Sequence, residues 1–193
     1  MRMHRIAPVA ALLVLPACTA KLPPVEVTRF HVSEAIAPGA VVTGPIAGTD
    51  GGTMEFRTYA LAVSRELARV GFAEGANAPY TAEIGYSRDA RERLAKRSPV
   101  TIGIGGGSFG SHVGVGLGTS FGLGGDKSKQ DIVSRLEVRL KRNADGAVVW
   151  EGRAQTEAPS NAPAAQPGLA ADKLSRALFD GFPGESGKTI TVP

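Results

Sequence analysis

Eleven of the 25 residues from Thr101 to Gly125 are glycine, and no other feature limits the fold of this chain as tightly. Each glycine costs about 1 kcal/mol relative to alanine in a helix, so the run excludes one. It still has a pattern. Ile102 and Ile104 alternate with Gly103 and Gly105, and Val113, Val115 and Leu117 alternate with Gly114, Gly116 and Gly118. Successive strand side chains point to opposite faces, so each arm has one apolar face and one bare face. We therefore expect a β-hairpin over residues 101–125, with Ser108 to His112 between its arms. A bare face lets another backbone, a sheet or a lipid approach closely, which makes Gly114, Gly116, Gly118, Val113, Val115 and Leu117 the candidate interaction residues. Two readings stay open. The hairpin inserts into an envelope membrane or joins an oligomer, or it folds over its own sheet with the apolar face inward. A lone hairpin cannot span lipid, because its edges leave backbone groups unpaired, so a spanning version needs several chains closing a barrel.

The N-terminus gives an address. Arg2 and Arg5 flank a short charged start, Ile6 to Leu15 is mostly apolar, and Leu15-Pro16-Ala17-Cys18 follows. Ten residues are too few for a membrane-spanning helix. A small residue before the only cysteine reads as a bacterial lipobox, in which the Cys18 thiol receives diacylglycerol, commonly with palmitate, and cleavage makes Cys18 the new N-terminus. The expected organisation is a signal peptide over 1–17, a lipidated tether over 18–24 and a single domain over 25–193. A plain secretory signal with a chance cysteine is the alternative. Without Arg2 and Arg5, 20 basic residues face 18 acidic ones, a net charge of only +2, so nucleic-acid binding is not expected. With Cys18 acylated, no thiol remains for a disulfide, a metal or nucleophilic attack.

Periodicity organises the rest. Val25–Val32 and Ala40–Ile46 read as strands, with Pro38-Gly39 as the turn between them. Phe56, Tyr59, Ala60, Val63, Leu67 and Val70 make one apolar stripe and predict a helix over 55–72, entered from the loop Thr49–Thr53 and ended by Gly71. Tyr80, Ala82, Ile84 and Tyr86 predict a half-buried strand. Arg88 to Arg97 reads as a solvated loop or strand extension, with a patch for anionic lipid headgroups or a wall polymer as the alternative. Ile132, Leu136, Val138 and Leu140 alternate with charged residues. Asn143–Gly146 turns the chain, and Val148 and Trp150 begin a returning strand. A Pro/Ala-rich loop over 158–168 precedes a second helix over 169–182, whose core face is Leu174, Ala177 and Leu178. A short last strand over 188–192 follows. Locally paired strands with two helices between them predict an α+β fold: one mixed or antiparallel sheet, two helices on one face, and the glycine-rich hairpin as an insert.

Motifs that carry chemistry fail on context. Gly105-Gly106-Gly107-Ser108-Phe109-Gly110 matches a dinucleotide fingerprint, but a strand pattern follows it where a helix must supply its N-terminus. Gly181 to Thr189 resembles a phosphate-binding loop, yet its first glycine position is Phe182 and only four residues remain after Thr189. His31 and His112 lack ligand partners at metal-site spacing. Asp50 and Glu55 could pair as carboxylates but suit the start of the helix. No catalytic residue, cofactor, metal or small-molecule substrate is expected.

Arg29-Phe30-His31, Glu55-Phe56 with Tyr59, Gly71-Phe72, Tyr80–Tyr86, the glycine-rich stretch, Val149-Trp150-Glu151-Gly152 and Phe182-Pro183-Gly184-Glu185-Ser186-Gly187 together resemble the bacterial lipoproteins grouped as domain of unknown function 4136. The resemblance implies an envelope lipoprotein of α/β type with no assigned reaction. Thr19, rather than aspartate, after Cys18 favours the outer membrane, facing the periplasm. The expected function is a non-catalytic structural or interaction module held to the membrane by its lipid. The alternative is an accessory or assembly lipoprotein of an envelope transport or secretion complex, with a protein partner or as a homo-oligomer through the hairpin.

Overall fold

The computed structural model describes residues 22–92 and 130–193. Cys18 and the whole predicted hairpin over 101–125 lie outside the described residues. The chain order is β1 (Val25–His31), β2 (Ala40–Pro45), α1 (Met54–Arg69), β3 (Ala73–Glu74), β4 (Tyr80–Glu92), β5 (Gln130–Arg142), β6 (Val148–Pro159), a 3-10 turn (Pro163–Ala165), α2 (Pro167–Phe179) and β7 (Thr189–Val192). These strands form one mixed seven-stranded sheet in the order β3-β2-β4-β5-β6-β1-β7. β2 runs parallel to β3 and β4, and every other pairing is antiparallel. α1 and α2 lie side by side on one face. The α+β architecture expected from the alternation of strands and helices is the one observed.

One expectation fails. β1 and β2 are not a local pair around Pro38-Gly39, because three strands separate them in the sheet. The connection crosses the end of the sheet, with Ile36 packed on the core and Glu34 reaching Arg142 at 3.4 Å beside the β5–β6 turn. The physical cause lies in β1. Its inward positions are Val25, Val27 and Arg29, and Arg29 must meet the C-terminal end of α2, so β1 takes the slot between β6 and β7. Alternation shows which face of a strand is buried but not which neighbour it finds.

α1 starts and stops as its sequence demands. The Thr53 hydroxyl accepts from the Phe56 amide at 3.0 Å, and Glu55 places negative charge in the first turn. Gly71, at φ +94°, turns the chain out of the helix. Phe56, Tyr59, Ala62, Val63 and Leu67 are buried, so Ala62 joins the predicted stripe. α2 begins two residues earlier than the leucine pattern suggests, with Pro167 at its first turn, where a missing amide proton is harmless.

The core lies between the helices and the inward residues of the long strands. Ile84, Leu136, Val138, Leu140, Trp150 and Ala154 meet Leu67, Leu174 and Leu178 there. Trp150 stacks on Phe179 at 5.3 Å, and Phe182 closes the group at 5.3 Å from the indole. The indole Nε1–H donates to the Pro183 carbonyl at 3.0 Å. Gly152, two residues along the same face, leaves the room this needs. A Cβ there would lie 2.4 Å from the Trp150 ring and 2.7 Å from Leu178.

Candidate functional site

The described chain begins at the corner of the sheet where several features converge. Leu22-Pro23-Pro24 leads into β1, and Val25 pairs with Thr156 of β6. The Thr156 hydroxyl donates to the Pro24 carbonyl at 2.9 Å, and the Lys173 ammonium of α2 donates to the Pro23 carbonyl. Two side chains thus pin the entering chain against α2. Burial against this carbonyl holds the Lys173 pKa below its ordinary value. Beside the pinned segment lies a groove of about 480 Å³ between α2 and the edge strand β7, lined by Leu22, Leu169, Ala177, Val192 and Pro193 and rimmed by Asp172, Lys173, Arg176 and Asp180. Leu22 is 51% exposed and Leu169 47%.

The same end of the sheet carries the stem of the β4–β5 hairpin. Pairing runs without a break to Glu92 opposite Gln130, so the 37 residues between them leave and return at adjacent points. Along β4, Glu92 lies four residues beyond Arg88, and Arg88 is level with Val25 through Ser134 and Thr156. At about 3.3 Å per residue, that is roughly 13 Å. The predicted interaction residues Val113 to Gly118 belong to this inserted stretch, and Cys18 lies four residues before Leu22. The start of the predicted basic stretch, Arg88 to Glu92, is strand. There Arg88 pairs with Glu55 at 3.4 Å and donates to the Ala165 carbonyl, and Arg91 lies 3.7 Å from Glu157.

The face of the sheet away from the helices is an ion-pair lattice. Alternation puts Glu83 opposite Arg139, Arg139 opposite Glu151 and Glu137 opposite Arg153 on neighbouring strands. Lys141 meets Glu83 at 2.7 Å, Arg139 meets Glu137 at 2.6 Å, Arg153 meets Glu151 at 2.6 Å, and Arg135 pairs with Asp89. Opposite charges directly across a ladder stabilise it modestly. They also use up one another, so these pairs leave no excess charge to attract a polyanion. A shallow groove of about 530 Å³ crosses this face, walled by Glu26, Thr28, Arg135, Glu137, Arg153 and Gln155.

Two buried polar groups escaped the sequence reading. Arg29 is only 5% exposed. Its Nε donates to the Leu178 carbonyl at 2.9 Å, and its Nη2 to the carbonyls of Ala177 at 2.8 Å and Asp180 at 2.9 Å. These are orphan acceptors at the end of α2, where a cation also complements the helix dipole. Burial lowers the guanidinium pKa, and the Asp180 charge works the other way. Gly184, at φ +84°, lets the following loop close over it, since a Cβ there would lie 2.6 Å from the Arg29 side chain. His31 follows on the same strand face. Its Nε2 lies 3.1 Å from the Gly184 carbonyl and its Nδ1 2.8 Å from the Val32 carbonyl. The sequence does carry a signal for Arg29: a lone cation at the third inward position of a strand that starts with two valines.

Tyr59 is the second. Its ring stacks on Tyr86 at 4.7 Å, and its hydroxyl is buried beside the Ser134 side chain without a well-formed hydrogen bond among the described residues. Burial pushes the phenol up to about 12, opposed by Arg88 and Ser134 and reinforced by Glu55 and Tyr86. Among the described residues, no cluster of three or more His, Cys, Asp or Glu side chains could hold a metal ion. No described helix is long and apolar enough to cross a membrane. Asp50 accepts from the Gly52 amide at 2.8 Å and Glu55 faces Arg88, so the two carboxylates serve the entry to α1.

No family model matches the chain. Among solved structures, a PelC dodecamer from Paraburkholderia phytofirmans is 12% identical, with a TM-score of 0.47, covering 84% of this chain and 99% of that one. A PDZ domain protein from Parabacteroides distasonis is 11% identical, with a TM-score of 0.50, covering 88% of this chain and 39% of that one, a likeness of fold alone. In sequence, the uncharacterized protein ZMO1243 of Zymomonas mobilis subsp. mobilis is 31% identical over 212 residues, spanning 88% of this chain and 80% of that protein. On that identity and coverage, the chain belongs to the family of ZMO1243.

Proposed function

We propose that this protein is a cell-envelope lipoprotein, held through an acylated Cys18 at the outer membrane, whose domain is a non-catalytic structural or interaction module. The observation that carries the reading is the pinned entry of the chain. Leu22 stands at the surface, outside the core, and only three residues separate it from Cys18. An acyl group there would hold the domain by one defined corner. The resemblance to domain of unknown function 4136 supports the same reading. Several polar residues of the described part have structural work: Arg29 caps α2, Glu55 and Arg88 join α1 to the sheet, and the open face neutralises itself. Fractionation of cells producing the Cys18→Ser variant tests the proposal. The variant should leave the membrane fraction for the soluble periplasm, and a variant that stays membrane-bound contradicts it.

The two ends of the sheet favour a second reading, an assembly module built from several copies. β7 closes one side with the uncharged residues Thr189 to Val192, and at the other side β3 covers only Ala40 and Val41 of β2. An uncharged edge such as β7 is a template for strand pairing. Light scattering of the detergent-solubilised protein separates the two readings: a monomer at micromolar concentration removes the second.

A further inference from the structure

The groove between α2 and β7 has an occupant that follows from where the chain enters. We propose that this groove, with Leu22 and Leu169 as its apolar walls, is the face by which the domain rests on the bilayer surface. The inference rests on the lipoprotein reading of Cys18 and adds an orientation to it. Four residue steps separate Cys18 from Leu22, and a fully extended chain covers at most about 3.5 Å per residue. The acylated residue therefore lies within roughly 14 Å of Leu22, whatever path the chain takes. The entering segment is also tied down, by Lys173 at Pro23 and Thr156 at Pro24. The corner that holds the groove cannot swing away from the anchor.

The surface chemistry agrees. Leu22 and Leu169 are about half exposed on the described surface, and both line this groove. Val192 and Pro193 extend it along the sheet edge. The rim is mixed: Lys173 and Arg176 oppose Asp172 and Asp180, and Asp172 is already paired with Arg65. Contact should therefore depend on apolar seating more than on anionic lipid. Of the other exposed apolar residues, Phe30, Val32 and Val148 lie toward the opposite end of the sheet, Val42 lies on β2, and Met54 and Leu61 lie on α1. Phe30 and Val32 come five and seven residues after Val25, which pairs with Val192 of the groove, so they stand about 17 and 23 Å along the strand from that pair.

The test uses the full-length lipoprotein purified from native membranes and reconstituted into phosphatidylethanolamine–phosphatidylglycerol vesicles. Cys18 is the only cysteine, so acylation leaves an introduced thiol as the sole labelling site. A bimane label is placed at Leu169→Cys in one sample and at Ala144→Cys, in the exposed turn at the far end, in another. Lipids carrying a doxyl group should quench the label at 169 roughly threefold more than the label at 144, as expected for a side chain at the headgroup boundary. Equal, weak quenching at both positions with Cys18 shown by mass to be acylated overturns the docking face and leaves the lipoprotein reading intact. A label at 169 that is shielded from water in detergent micelles and unquenched by doxyl lipid assigns the groove to a second copy and also overturns it. An unmodified Cys18 with no vesicle binding overturns both readings.

Discussion

Replacing Arg29 by methionine should cost about 3 kcal/mol of stability without altering the fold. Methionine keeps the unbranched apolar stem and removes the guanidinium, so the substitution isolates the cap. Three carbonyls, those of Ala177, Leu178 and Asp180, lose donors that now lie at 2.8–2.9 Å. A hydrogen bond to a charged group contributes about 1.5–3 kcal/mol, so three sum to roughly 6 kcal/mol before offsets. The guanidinium is almost fully buried, and its desolvation, the same effect that lowers its pKa, returns several kcal/mol when it is removed. The net of about 3 kcal/mol corresponds to a fall of roughly 6–12 °C in Tm for a domain of this size. Urea unfolding followed by tryptophan fluorescence reads it directly, because the sole tryptophan, Trp150, stands next to the capped helix end. Arg29→Lys should recover less than half of the loss, since one ammonium cannot reach three carbonyls spread across the end of the helix. An Arg29→Met variant within about 0.5 kcal/mol of the parent would refute the argument, because a change that small is typical of an exposed site.

Three further outcomes follow from the core and the open face. Tyr59→Phe should change stability at pH 7 by less than about 1 kcal/mol, because the hydroxyl it removes makes no well-formed hydrogen bond among the described residues. With its phenol pushed up to about 12, the folded parent holds the Tyr59 proton more tightly than the unfolded chain, where it titrates near 10. From pH 10 to 12 the unfolded chain ionises first, so the parent loses up to about 3 kcal/mol across that window, whereas the Phe variant has no such proton to lose. Alkaline denaturation scans of the two should therefore diverge above pH 10, with the parent falling below the variant. Gly152→Ala should destabilise by about 1–3 kcal/mol, since the new methyl meets the Trp150 ring and Leu178, and near-ultraviolet circular dichroism should report the displaced indole. Glu137→Gln, which breaks contacts to Arg139 at 2.6 Å and Arg153 at 3.8 Å on the exposed face, should cost less than about 1 kcal/mol in urea unfolding, with the difference fading in molar salt.

Local periodicity made much of this fold legible. The β5–β6 hairpin announces itself through alternating Leu136, Val138 and Leu140 and the turn at Asn143–Gly146, and α1 through its stripe from Phe56 to Leu67. Both patterns are written within about 20 residues. The placement of β1 is not. Whether Val25–His31 pairs with β2 or with β6 depends on partners more than 100 residues away, and strand alternation is silent on that choice. β3, two residues long, is too short to show any period. Arg29 carries a usable signal, a charge in register with Val25 and Val27, but reading it as a helix cap requires knowing that α2 ends beside β1. The β4 pattern is plain as far as Tyr86. Its continuation through Arg88 to Glu92 is ambiguous in sequence, because a strand whose outer positions carry both charge signs looks like a solvated loop.

The lipoprotein proposal turns on the chemistry of one residue, Cys18. The mass of the N-terminal peptide of the protein isolated from native membranes tests it. The expected chain begins at Cys18, after removal of residues 1–17, with its sulfur carrying diacylglycerol. A chain that retains Met1, or begins elsewhere, or bears an unmodified Cys18 would contradict it.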